Sequence, residues 1–210
     1  MNVLAIGAHF DDVELGCSGS LVKHVNRGDN VTVYTATHSG YSAPDGRMVR
    51  SPEDARREGE KAALILGVDL ICGGWETNQL TLNDPLVCSV LEIVEAKNID
   101  TIYTHWVDDA HQDHQALAKA SIAAGKHVSR ILMYQSNMYD GSASFRGDFY
   151  VDISDVIETK KKAICAHVTE LQRVDGRWLE VFMKKCAVDG YRIGVEFAEV
   201  FQIIKYLAPI

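Results

Sequence analysis

The stretch VLAIGAHFDD, residues 3–12, decides the fold of this chain and contains its first chemically unusual cluster. The apolar half, Val3–Ile6, is typical of a buried β-strand, and a histidine and two adjacent carboxylates follow it directly. A second cluster of the same kind, THWVDDAHQDH (residues 104–114), follows the predicted strand Thr101–His105. The central question is whether the two clusters form one site.

Short β-branched runs alternate with helical patterns along the whole chain. The predicted strands are Val3–Ile6, Val31–Ala36, Val68–Cys72, Thr101–His105, Arg130–Tyr134, Tyr150–Ile153 and Phe197–Tyr206. The predicted helices are Leu15–Asn26, Pro52–Leu66 (between a Ser51 cap and Gly67), Pro85–Lys97, Gln112–Lys126 and Ser154–Glu170, and His38–Ser51 is a predicted loop. This alternation predicts an α/β fold, with one Rossmann-like domain over residues 1–210 and a mostly parallel sheet covered by helices on both faces.

In open parallel sheets, ligands bind in the crevice beyond the carboxyl ends of the strands. Both polar clusters follow such strand ends. If the strands Val3–Ile6 and Thr101–His105 are neighbours, the two clusters face each other across the crevice.

The charge balance argues against nucleic acid as a partner. The chain has 21 Lys and Arg against 29 Asp and Glu, a formal net charge of −8. Its densest basic runs, Arg56–Arg57 and Lys160–Lys162, are typical of solvated helix faces. Nucleic-acid affinity depends on clustered cations that neutralise phosphates, so we expect this protein not to bind nucleic acid.

The five cysteines are odd in number and widely spaced, without a CxxC pair, which predicts buried free thiols in a reducing compartment. Met1 leads into a strand without a basic leader, and no apolar run approaches the ~20 residues that span a bilayer. We therefore expect a cytoplasmic protein with no membrane anchor.

The first cluster places two carboxylates, Asp11 and Asp12, side by side. Adjacent carboxylates repel each other, so the pKa of one of them rises unless a cation lies between them. A metal ion removes that conflict. Two other interpretations stay open for this segment alone: the two acids could cap the following helix, and His9 could be an ordinary hydrogen-bonded histidine.

The second cluster strengthens the metal interpretation. Its histidines and carboxylates are His105, Asp108, Asp109, His111, Asp113 and His114. Zinc binds imidazole nitrogen and carboxylate oxygen, and catalytic zinc sites use three protein ligands and a water. Calcium and magnesium favour all-oxygen sets, which fit these histidines less well. A solvated helix start is the alternative for this segment alone, but two clusters at facing strand ends favour a zinc site.

Three other classes of function are weaker. A nucleotide-binding module would need GxGxxG after the first strand, where this chain has Gly7–Asp11 with an acid that repels a pyrophosphate. A serine hydrolase would need a GxSxG elbow, and Gly16–Gly19 lacks that spacing. A metal-binding module without catalysis would not need the additional carboxylate of Asp11.

The two clusters together resemble the LmbE-like family of zinc-dependent N-deacetylases, also called the PIG-L or GlcNAc-phosphatidylinositol de-N-acetylase family. Ala8–Glu14 matches the family's AHPDD motif, and His111–His114 matches its HPDH motif. Weaker similarity extends over nearly the whole chain, including Phe149–Ser154.

The resemblance implies a role for each matching residue. His9, Asp12 and His114 would bind one zinc ion per chain, and Asp11 would be the general base that takes a proton from a water on the metal. His111 would stabilise the oxyanion or protonate the leaving amine, and Asp113 would hold a neighbouring imidazole in its tautomer.

The resemblance also implies the substrate, a small molecule with an N-acetylated amino sugar of the N-acetylglucosamine type, from which acetate is released. A non-sugar N-acyl substrate is the alternative. Relatives are often homo-oligomers, so self-association is implied as well. Phe10 and Gln112 replace prolines common in the family motifs, and Arg56 is our candidate for the arginine that contacts substrate.

Overall fold

The computed structural model describes residues 1–139, 141 and 143–208. Its strands are β1 (Asn2–Gly7), β2 (Asn30–Thr37), β3 (Tyr41–Ser42), β4 (Met48–Arg50), β5 (Asp69–Trp75), β6 (Thr101–His105), β7 (Arg130–Tyr134), β8 (Phe149–Asp152) and β9 (Ala198–Tyr206). Its helices are α1 (Asp12–Gly16), α2 (Ser18–Asn26), α3 (Pro52–Leu66), α4 (Asp84–Ala96), α5 (Gln112–Ala124), α6 (Ile157–Ile164), α7 (Val168–Arg173) and α8 (Arg177–Ile193).

The main sheet confirms the predicted α/β class. Over the described residues its strand order is β5-β2-β1-β6-β7-β9-β8, in which the first five strands pair in parallel. β9 runs antiparallel between β7 and β8. β1 therefore lies at the centre, directly beside β6, which brings the carboxyl ends of these two strands together.

Helices cover both faces of the sheet, as the continuous apolar run of β1 predicts. Leu4 and Ile6 pack into the core beneath α4 and α5, whereas Val3 and Ala5 pack with side chains of α1 and α2 on the other face. All four side chains have 0% exposure. None of the helices in the described chain is long and apolar enough to cross a membrane.

Three predicted elements differ from the structure. The predicted helix Leu15–Asn26 is two helices, α1 and α2, interrupted at Cys17. The predicted helix Ser154–Glu170 is likewise split into α6 and α7, because the chain turns at His167 and buries that imidazole beside Glu14. α8 was not predicted, and a short hairpin of β3 and β4 lies within the predicted loop.

The five cysteines are free thiols, as predicted, but their burial differs from the expectation. Cys17 and Cys186 are buried, whereas Cys165 is exposed and the other two are half-buried.

A fully buried ion pair fixes the interruption between α1 and α2, and its cation, Lys160, is therefore not on the solvated helix face expected from the sequence. The Lys160 ammonium donates hydrogen bonds to the carbonyl oxygens of Glu14 (2.8 Å) and Leu15 (2.9 Å), and to the Glu199 carboxylate (2.8 Å). The same carboxylate accepts the amide hydrogens that open α2, from Gly19 and Ser20, at 2.8 Å each. A cation thus lies at the carbonyl end of α1 and an anion at the amide end of α2, which are the favourable signs for helix ends.

We predict that Lys160→Met lowers the free energy of unfolding by about 3–5 kcal/mol, because it leaves the Glu199 carboxylate buried without its cation. Urea denaturation followed by circular dichroism measures the change. Lys184→Met, which removes an exposed pair with Glu180 on α8, is the matched control and should leave the stability unchanged. Equal stabilities for the two variants would contradict this account of the ion pair.

Candidate metal centre and cleft

The two polar clusters meet at the carboxyl edge of the sheet, at one end of a cleft of about 270 Å³. The cleft is lined by residues of both clusters, of the β2–α3 region and of the segments after β5, β7 and α6. They include His9, Asp11, Asp12, Arg50, Asn78, His111, His114, Ser136, Asn137, Glu170, Arg173 and Trp178. The predicted juxtaposition of the clusters is therefore present.

Three side-chain groups form a tight triangle in this cleft. His9 Nδ1 lies 3.3 Å from Asp12 Oδ2, His114 Nε2 lies 3.2 Å from Asp12 Oδ1, and the two imidazole nitrogens are 3.3 Å apart. Tetrahedral zinc with bonds of about 2.0–2.1 Å separates its ligand atoms by about 3.3–3.4 Å. The donor types, with one Asp12 oxygen facing each imidazole, and their spacing therefore fit a zinc ion.

Two further groupings of metal-ligand type overlap this triangle: His9 with His111 and His114, and Asp12 with His105 and His114. His105 is fully buried, and its Nε2 already accepts the Ala8 amide hydrogen at 3.0 Å. The lone pair of His105 Nε2 is thus in use, which disfavours His105 as a ligand; the triangle and the grouping with His111 share His9 and His114.

A carboxylate lies beside the far nitrogen of each imidazole in the triangle, and at His9 it forms a hydrogen bond. Asp113 Oδ2 lies 3.1 Å from His9 Nε2, and the Asp113 carboxylate also accepts the amide hydrogens of Asn78 (2.7 Å) and Leu80 (3.0 Å). This arrangement places the His9 proton on Nε2 and leaves Nδ1 free to bind a cation.

Asp109 has the corresponding position beside His114. Its Oδ1 lies 3.2 Å from His114 Nδ1, and Asn137 Nδ2 donates to both carboxylate oxygens at 2.8 and 2.9 Å. On the other side of the triangle, the Ser136 hydroxyl donates to Asp12 Oδ1 at 2.9 Å. No role is predicted from the sequence for Asp109, although its place in the second cluster indicates one, and Ser136 and Asn137 lie outside both motifs.

The loop between β1 and α1 is strained at Asp11. This residue has a backbone φ of 133°, a conformation that residues other than glycine rarely adopt. Its side chain makes no capping hydrogen bond to α1. Asp12 does not cap α1 either, because its carboxylate accepts the His9 amide hydrogen at 2.7 Å and faces the triangle. The structure therefore favours the site over the capping interpretation for both acids.

Phe10 replaces the common proline for a reason that is visible in the structure. Its amide donates to Ser39 Oγ at 2.8 Å, which a proline cannot do. Its ring packs against Gly59 of α3 so closely that a Cβ at Gly59 would lie 2.2 Å from the ring. Gln112 replaces the common proline of the second motif, and its side-chain amide donates to the Asn78 carbonyl at 2.5 Å.

The expected substrate contact Arg56 does not line the cleft. Its side chain is 64% exposed on the outer face of α3, where it pairs with Glu60. The arginine at the cleft is Arg50, at the end of β4, which donates to the Phe10 carbonyl (2.9 Å) and to Glu58 (2.9 Å) and lies 3.5 Å from Asp11. Helix periodicity places Arg56 on the solvated face, which corrects that expectation.

The electrostatics of the triangle favour a bound cation. Burial lowers the pKa of His9, but its hydrogen bonds to Asp113 and Asp12 outweigh burial and raise that pKa to about 9. Burial likewise opposes protonation of His114, and the charge of Asp12 together with Asp109 raises its pKa to about 10. In metal-free protein, protons on His9 and His114 supply the positive charge that the carboxylates attract. Metal binding displaces these protons.

The surrounding groups are shifted in other directions. Burial and the charge of His114 lower the pKa of both His105 and His111 to about 4, so these imidazoles are neutral at pH 7. Burial and the neighbouring Asp12 raise the pKa of Asp11 to about 7, against the opposing charge of Arg50. Asp11 can thus exchange a proton near neutral pH.

Fold and site together define an α/β protein with a histidine–carboxylate centre at the carboxyl edge of its parallel sheet. The chain belongs to the PIG-L (GlcNAc-PI de-N-acetylase) family, whose model matches residues 4–125. Both motifs lie within that range, and the predicted family is thereby confirmed.

Individual relatives agree with this assignment. The chain is 33% identical over 143 residues to the uncharacterized deacetylase YaiS of Escherichia coli (strain K12), covering 64% of this chain and 73% of that protein. It is 24% identical over 219 residues to the diacetylchitobiose deacetylase of Thermococcus kodakarensis, covering 93% and 82%. The structure of the conserved protein TT1542 from Thermus thermophilus superposes with a TM-score of 0.85 at 22% identity, covering 100% and 97%, which confirms the fold.

In metal-free protein, we predict that the imidazoles of His9 and His114 titrate near pH 9 and 10, while His105 and His111 stay neutral above about pH 4. A nuclear magnetic resonance titration of the imidazole carbons measures this. Asp12→Asn removes the shared negative charge and should lower the pKa of both His9 and His114. Titration of both near 6.5 in the parent protein would show that Asp12 does not hold them charged.

Proposed function

We propose that this protein is a zinc-dependent N-deacetylase that hydrolyses the acetamide of an N-acetylated amino sugar or its glycoside and releases acetate. The observation that carries the proposal is the triangle of His9, Asp12 and His114 at the cleft, with the buried Asp11 carboxylate beside it. Family membership and the diacetylchitobiose deacetylase relative support the same chemistry.

The proposed ligands are His9 Nδ1, the Asp12 carboxylate and His114 Nε2, one ion per chain. A zinc ion held by these residues would polarise a carbonyl and lower the pKa of water to about 7. Asp113 fixes the tautomer of His9, Asp109 lies 3.2 Å from His114 Nδ1, and the Ser136 hydroxyl fixes the orientation of Asp12.

Asp11 is the proposed proton carrier. Its carboxylate takes a proton from the attacking water and passes it to the departing nitrogen, which leaves as the free amine of the sugar. Its pKa of about 7 suits both steps, since the group is near half-protonated at neutral pH. The Arg50 guanidinium, 3.5 Å away, keeps the charged form accessible in a buried position.

His111 is the proposed donor to the carbonyl oxygen. Its Nδ1 accepts the Asp113 amide hydrogen at 3.2 Å, so in the neutral ring the proton is on Nε2. The pKa of about 4 keeps the ring neutral at pH 7. A neutral imidazole stabilises developing negative charge through a hydrogen bond, which favours the oxyanion role over protonation of the amine.

The cleft walls fit a sugar. Amide and hydroxyl groups of Thr77 and Asn78 offer hydrogen-bond partners for sugar hydroxyls, and the aromatic side chains of Tyr41 and Trp178 offer apolar faces for the ring. A mixed polar and aromatic wall of this kind favours an amino sugar over a non-sugar N-acyl substrate.

The function is tested by acetate release from N-acetylglucosamine, N,N'-diacetylchitobiose and N-acetylated amino acids. We expect the sugars to be hydrolysed faster than the amino acids. Asp11→Asn should retain zinc and lose about 10²–10⁴-fold in kcat, because the proton carrier is removed. Asp108→Asn changes an exposed carboxylate of the second cluster and should behave as the parent. Full activity of Asp11→Asn would refute its role.

The metal centre is tested separately by zinc content after dialysis. His9→Ala and His114→Ala should each lose most of the one equivalent of zinc that the parent retains, because each removes one of three ligands. His127→Ala, an exposed histidine at the end of the α5 region, should retain it. If either ligand variant binds zinc as tightly as the parent, the proposed ligand set is wrong.

A further inference from the structure

Two guanidinium groups line the cleft, and both are already paired with carboxylates. The Arg50 side chain is only 2% exposed, and it pairs with Glu58 at 2.9 Å and lies near Asp11 at 3.5 Å and Glu170 at 4.0 Å. Arg173, which is 37% exposed, contacts Glu170 Oε2 through both Nε and a terminal nitrogen at 2.7 Å. No other Lys or Arg lines the cleft in the part of the chain that the structure describes.

Glu170 lies at the centre of this charge arrangement. Its side chain is 4% exposed, and its second oxygen accepts the Tyr41 hydroxyl hydrogen at 3.0 Å. Glu170 thus neutralises the one cleft guanidinium that solvent reaches in the described part of the chain. It also orients Arg173 over the Trp178 ring, with the guanidinium carbon 5.1 Å from the ring centre.

An anionic group on a substrate would find an unfavourable environment here. The carboxylates of Asp11, Asp12 and Glu170 all line the same cleft. Phosphate and carboxylate ligands are usually bound by guanidinium groups whose positive charge is not cancelled, whereas Arg173 contacts Glu170 through Nε and one terminal nitrogen. An incoming anion would reach only the remaining N–H donors of Arg173, and it would meet the like charge of Glu170 beside them, which disfavours its binding.

We propose that Glu170 is a specificity-determining residue that restricts the cleft to N-acetylated sugars without negative charge, and that sugar phosphates, sugar nucleotides and acidic glycosides are rejected. This inference rests on the proposed deacetylase function and names the substrate class within it. Glu170 acts on the substrate through Arg173, whose charge it cancels.

Two N-acetylglucosamine derivatives of similar size test the proposal. One carries an α-linked methyl group on the anomeric oxygen, and the other carries an α-linked phosphate there. In the zinc-loaded parent, kcat/KM for acetate release should favour the methyl glycoside by at least about tenfold at low ionic strength. The preference should fall as salt screens the carboxylates. A parent enzyme that hydrolyses the phosphate equally well or better overturns the proposal.

Variants locate the effect. Glu170→Gln frees Arg173 and should shift the ratio at least about tenfold toward the phosphate, since a free guanidinium then meets the anion. Arg173→Gln, at a half-exposed position, should shift the ratio further toward the methyl glycoside, because Glu170 then keeps its charge without a cation. Adding Arg173→Gln to Glu170→Gln should cancel the gain. Glu180→Gln, an exposed carboxylate of α8 that pairs with Lys184, should leave the ratio unchanged; an equal shift there would refute the role of Glu170.

Equilibrium binding of both probes to the same proteins separates this inference from the proposed function. If neither probe releases acetate, the deacetylase proposal is contradicted, and the binding ratio still decides the charge selectivity. Weaker binding of the phosphate to the parent, reversed by Glu170→Gln, supports the inference. Equal or tighter binding of the phosphate to the parent overturns it.

Discussion

The arrangement of the site depends on one buried carboxylate, that of Asp12. It lies within 3.3 Å of imidazole nitrogens from His9, His105 and His114, and it accepts hydrogen bonds from the His9 amide and the Ser136 hydroxyl. These partners come from the ends of three adjacent strands, β1, β6 and β7, and from the segments that follow them. Burying one carboxylate among them, next to the second carboxylate of Asp11, is favourable only if positive charge is held there, by protons or by a metal ion.

The strand order makes this convergence possible. The parallel pairing of β1 with β6 and β6 with β7 aligns the carboxyl ends of three strands. The interruption between α1 and α2, held by Lys160 and Glu199, keeps α1 to a single short turn behind the loop that carries His9, Asp11 and Asp12. The strained backbone of Asp11 is tolerated because the groups on either side of it are fixed by several contacts each.

Periodicity and local motifs were sufficient to predict the seven strands of the main sheet, the helices α3, α4 and α5, and the meeting of the two clusters, because these depend on short-range patterns. The contacts that depend on distant packing could not be predicted. Arg50 reaches the cleft from β4, whereas the predicted substrate contact Arg56 lies on the solvated face of α3. Asp109 was within a recognised cluster, yet its role follows from the distance to His114 Nδ1. The break at His167 is caused by a partner, Glu14, more than a hundred residues away.

The chain divides its cleft between two stretches of sequence. The family model ends at residue 125, after the proposed ligands and Asp11, whereas Ser136, Asn137, Tyr139, Glu170, Arg173 and Trp178 contribute walls from the remainder. The second stretch is joined to α3 by hydrogen bonds such as those of Glu58 with Thr169 at 2.8 Å. Substitutions beyond residue 125 can therefore reshape this outer wall without replacing a proposed ligand or Asp11.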